Sequence, residues 1–108
     1  MSQLTGPLEF ALLRAEFKRA VNMTPLELAA WLRTGTARAQ PRAARGRRVL
    51  AVLALLARRP SQLTEADTGL MGEVVATVRA ERAAGPGELP DALWRARLMC
   101  LGHDPLRS

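Results

Sequence analysis

Apolar residues recur at helical spacing along most of the chain and nowhere alternate with period two over the length of a strand, so the pattern predicts an all-α fold of four or five helices. In the first, Leu8 to Val21, residues Phe10, Leu13, Phe17 and Val21 share a face, with Glu9, Arg14 and Lys18 elsewhere. Thr24-Pro25-Leu26-Glu27 then restarts the chain. Thr24 suits the cap, Pro25 the first helical position, and Glu27 can reach back to the Thr24 amide. This second helix should run to about Thr34, bury Leu28, Trp31 and Leu32, and stop at Gly35.

Two glycines, Pro41 and the arginines Arg38, Arg42 and Arg45 interrupt the pattern over residues 35–46, which reads as an arginine-rich loop. A third helix begins near Gly46 and ends before Pro60. Val49, Val52, Leu53 and Leu56 form its apolar stripe; Arg47 and Arg58, three turns apart, lie opposite, and Arg48 and Arg59 form a parallel row. Thr64, followed by Glu65 and Asp67, caps a fourth helix that reaches about Ala84 and buries Leu70, Met71, Val74, Val75 and Val78. After the turn Gly85-Pro86-Gly87, a last helix from Pro90-Asp91 carries Leu93, Trp94, Leu98 and Leu101 and stops at Gly102. Residues 1–108 make one domain, with 1–7 and 106–108 expected to fray.

Charge changes this picture of an ordinary helical domain. From Leu28 to Thr64 there is no acidic residue but eight arginines, Arg33, Arg38, Arg42, Arg45, Arg47, Arg48, Arg58 and Arg59. The stretch carries +8 and the rest of the chain −2 within a net charge of +6. Fifteen of the sixteen basic residues are arginine, a compositional bias that a solvated face could share, but bias does not account for the missing acids. A segregated positive field attracts polyanions, and guanidinium forks match phosphate oxygens. The two tryptophans and two phenylalanines are too few for a base-stacking platform, which points to duplex rather than single-stranded nucleic acid.

Other chemistry has little support. One histidine and one cysteine cannot form a metal site, no glycine-rich phosphate loop or nucleophile motif occurs, and no cofactor or catalytic residue is expected. His103-Asp104 could suggest a base and its orienter, but after Gly102 it reads as a helix stop and turn into Pro105. Trp31, Trp94 and Cys100 read as core. The longest uncharged run, Val49 to Ala57, is half of the ~20 residues that cross a bilayer, and the N-terminus lacks the apolar stretch of a secretory leader. No membrane association is expected, and a reducing cytoplasm is the expected compartment.

Two blocks carry a resemblance. Val21-Asn22-Met23-Thr24-Pro25-Leu26-Glu27-Leu28-Ala29-Ala30-Trp31-Leu32 resembles the VNMTPxELxxWL opening of a family of small bacterial and fungal proteins, domain of unknown function 3140, commonly labelled DNA-binding. Trp94 to Leu106 resembles its WRxxLMxxGHDPL ending. Gly46-Arg47-Arg48-Val49, Leu63-Thr64 with Asp67, Met71 and Val74-Val75 follow that family's internal order. Its Gly/Ser-rich segment before the GRR element is replaced here by a shorter run of Ala and Arg, Thr36 to Arg45, so the resemblance bears on fold more than on site. The expected function is duplex DNA binding, with DNA favoured over RNA, through phosphate contacts of Arg38, Arg42, Arg45, Arg47, Arg48, Arg58 and Arg59, with little sequence specificity and a place in the nucleoid. A helical protein-interaction module or homodimer is the alternative.

Overall fold

The computed structural model describes residues 6–107, and several of its helix starts have a local cause. Helix α1 (Pro7–Ala20) opens with Pro7 in the first turn and the Glu9 carboxylate accepting the Gly6 amide at 2.9 Å. In α2 (Pro25–Leu32) the capping box is complete: the Glu27 carboxylate accepts the Thr24 N–H at 2.9 Å while Thr24 Oγ1 accepts the Glu27 N–H at 3.1 Å. Thr64 and Asp67 repeat this arrangement at the start of α5 (Glu65–Ala84). The last helix, α6, spans Asp91–Met99. Among the described residues the fold is all-α, with no strand.

The stretch 35–46, expected as a loop, is mostly helical. Thr34 Oγ1 accepts the Ala37 N–H at 3.1 Å and caps a single-turn helix, α3 (Gly35–Arg38); after the turn at Pro41, α4 (Ala43–Arg58) begins three residues before Gly46. The alanines explain the difference: Ala37 and Ala43 are buried, small enough for the backbone to close on its neighbours. A 3-10 turn, Pro60–Gln62, joins α4 to α5.

Helix α1 packs along α5, α2 along α4, α4 against α5, and α6 against α3. Phe17, Leu28, Leu32, Val49, Val52, Leu53, Leu56, Leu70, Met71, Val74, Val75, Val78, Leu98 and Leu101 fill the space between them. Trp31, Trp94, Phe10 and Leu13 are only half-buried at the margin, and Leu93 is 39% exposed, so the apolar stripes of α1 and α6 overstate the core. Cys100 is fully buried, and burial pushes its thiol pKa up.

The chain closes through a clasp between residues about eighty positions apart. Gly102, at φ +86°, turns it after α6 and packs on Val21, and its carbonyl accepts the Met23 N–H at 3.1 Å. The Asn22 amide donates to the Asp104 carbonyl at 3.0 Å, and Asn22 Oδ1 accepts the Asp104 N–H at 2.7 Å. His103 Nδ1 donates to the Ala20 carbonyl at 2.7 Å, and Asp104 holds the Arg95 guanidinium with two bonds, 3.1 and 3.0 Å. Arg107, expected to fray, grips the Glu27 carboxylate with two bonds of 2.6 Å. Leu106 is exposed.

The clasp predicts acid sensitivity. Arg107 holds the Glu27 carboxyl at about 2 and Arg95 holds that of Asp104 below its ordinary value, while burial lowers the pKa of His103. All three bind protons more readily in the unfolded chain, so their stabilisation is present above the unfolded pKa values and is lost as pH falls through the folded ones. His103 acts first, as pH drops below its ordinary 6.5, before the carboxylates respond. Between about pH 7.5 and 5 the urea midpoint of the wild type should therefore fall. His103→Asn, whose amide can donate to the Ala20 carbonyl without titrating, should flatten that fall; an unchanged slope would remove His103 as its source.

Candidate nucleic-acid interface

The earlier start of α4 decides which arginines share a surface. Once residues 43–46 join the helical wheel, Arg45 lies roughly 160° from Arg47, on the inner side. Arg42, the residue before the helix, pairs with Glu81 of α5, which Arg97 of α6 also approaches at 3.6 Å. Arg42 thus joins α4, α5 and α6 rather than facing solvent. Arg45 leans on Glu73 at 3.7 Å, a half-exposed pair of small energetic weight.

Arg47, Arg48, Arg58 and Arg59 are exposed, and among the described residues none has a carboxylate within ion-pair distance. Arg33 and Arg38 are exposed and unpaired in the same sense. The other arginines of α5, α6 and the C-terminal turn are engaged: Arg79 with Glu16, Arg95 with Asp104, Arg97 with Glu81, Arg107 with Glu27, and Arg82 with the Pro105 carbonyl. Carboxylate and carbonyl partners therefore separate these structural arginines from the free ones among the described residues of the basic stretch, Arg33, Arg38, Arg47, Arg48, Arg58 and Arg59.

Gly46 sets the level of the arginines on α4. A Cβ there would lie inside the contact distance of the Cys100 carbonyl oxygen and 2.9 Å from a Leu32 methyl, so α4 crosses the end of α6 with backbone nearly touching backbone. Arg47 and Arg48 follow directly and point outward. Arg33, the residue after Leu32, sits at the same end of α4, whereas Arg58 and Arg59 mark the other end, about 16 Å away along the axis.

The His103 and Asp104 side chains do not hydrogen-bond to one another. The histidine is 7% exposed and turned to the Ala20 carbonyl, the carboxylate to Arg95. His103 Nε2 has no partner among the described residues. Nor do the described residues bring together three or more His, Cys, Asp or Glu side chains in a metal-binding group.

A family model described as "Protein of unknown function (DUF3140)" matches residues 16–99. The chain belongs to this family. The DUF3140 span runs from the later turns of α1 to the end of α6, so it contains one whole side of the clasp, Gly46 itself and all eight arginines of the basic stretch. No curated protein and no solved structure matches the chain.

Proposed function

We propose that this protein binds duplex DNA through phosphate contacts centred on α4, with little sequence specificity, in the manner of a nucleoid-associated protein of the cytoplasm. One observation carries the reading: Arg47, Arg48 and Arg58 of α4 and Arg59 just after its end are all exposed, without carboxylate partners among the described residues. Concentrating like charge raises the energy of the folded state, and a polyanion relieves it by exchanging condensed counterions for guanidinium contacts. Arg33 and Arg38 extend the field beyond α4, Arg45 sits at its margin, and Arg42 contributes net charge but no contact. Membership of DUF3140 leaves the activity open.

The test is affinity for a mixed-sequence duplex at rising salt. Four to six phosphate contacts give a log–log slope of roughly −3.6 to −5.4, or about a hundredfold loss or more between about 50 and 200 mM salt. A flat response would refute the proposal. It would favour a protein-interaction role, for which the exposed Leu8 and Leu12 of α1, one turn apart and 75% and 60% accessible, are the supporting feature.

A further inference from the structure

Between its two arginine pairs, the outward face of α4 holds only small or apolar side chains. Ala51 and Ala54 are exposed there, Leu55 is half-buried at the edge, and Ala44 continues the face before Arg47. From this we infer that α4 enters the major groove of B-form DNA, the alanines facing the base edges while Arg47 with Arg48 and Arg58 with Arg59 reach phosphates of the two strands that border the groove. The inference rests on the DNA binding proposed above and adds to it the groove, the duplex form and the reason for low specificity.

Dimensions select the groove. A helix is about 10–12 Å across with its side chains, close to the roughly 12 Å width of the major groove and about twice the 6 Å of the minor groove. A face of alanines lowers that diameter where the helix must approach most closely. The arginine pairs, about 16 Å apart along the axis, bracket the alanine face at its two ends, where long guanidinium side chains can reach the phosphates flanking the groove. Alanine offers no hydrogen bond to a base edge and makes only apolar contact, best with a thymine methyl, so such a helix fills the groove without reading it. A-form RNA has a deep, narrow major groove that would not admit it.

A second copy of the chain is a poorer occupant. Packing two such faces antiparallel would set Arg47 and Arg48 of one molecule against Arg58 and Arg59 of the other, with no acidic residue on the face to compensate. The phosphate rails of a duplex supply the missing charge.

Binding should be compared on four short duplexes of one sequence at one salt concentration: plain DNA, DNA whose cytosines carry glucosylated hydroxymethyl groups in the major groove, DNA with its minor groove occupied by netropsin, and the RNA equivalent. The expected result is about tenfold or greater weakening for the glucosylated DNA and for the RNA, with netropsin changing affinity by less than about twofold. Equal binding to plain and glucosylated DNA would overturn the groove assignment and leave phosphate binding intact, as would equal binding to the RNA duplex or displacement by netropsin. Failure to bind plain DNA would overturn both readings together.

Discussion

Gly46→Ala is expected to lower the melting temperature by about 8 °C or more. The added methyl meets the Cys100 backbone carbonyl and a Leu32 methyl, and a backbone atom cannot rotate away as a side chain could. Overpacking of this kind costs typically 1–3 kcal/mol where side chains can adjust, so here the upper end or beyond is expected. Alanine's better helix propensity returns only about 1 kcal/mol. The remaining loss of about 2 kcal/mol or more is a sizeable part of the 5–15 kcal/mol that holds a domain folded, and each kilocalorie shifts the midpoint by roughly 4–8 °C at this size. Gly69→Ala is the control: it lies within α5 with nothing within 4 Å of a built Cβ, and it should gain up to about 1 kcal/mol. If Gly46→Ala melts like the wild type, α4 does not cross α6 at this residue and the level of the arginine row is misplaced.

Changing Arg47, Arg48, Arg58 and Arg59 together to glutamine should reduce the salt slope by roughly 3.6 and weaken duplex binding about a hundredfold or more at low salt, for every sequence alike. Stability should hardly move or should rise slightly, because these side chains are exposed, lack carboxylate partners among the described residues and repel one another. Arg42→Gln should behave in the opposite way. It removes the partner of Glu81 at the junction of α4, α5 and α6, so the midpoint should fall while the salt slope stays within about one contact of wild type. A folded quadruple variant with an undiminished slope would rule out α4 as the DNA-binding face.

Much of the molecule was determined by the sequence alone, wherever the cause lies within a few residues. Thr24 with Glu27 and Thr64 with Asp67 mark helix starts because capping is satisfied three residues away. The stripes of α4 and α5 are buried as their spacing predicts, and Arg47, Arg48 and Arg58 are exposed, while Arg59 is exposed just past the end of α4. Tertiary structure decided three further matters. Residues 35–46 look like a loop because two glycines and a proline break the pattern and no apolar stripe runs through them, yet burial of Ala37 and Ala43 makes most of them helical and brings Arg42 to Glu81 and Arg45 to Glu73. Gly46, readable locally as a helix start, is where two backbones meet, which depends on residues some fifty positions away. The two most distinctive sequence blocks hydrogen-bond to each other through Asn22 with Asp104 and Met23 with Gly102, and bonds from His103 to Ala20 and Arg107 to Glu27 at their edges close the fold, leaving the candidate interface to less distinctive arginines. No local pattern could sort those arginines, because an ion pair with Glu73, Glu81 or Asp104 depends on how helices pack, whereas a helical wheel records only which side of its own helix a residue occupies.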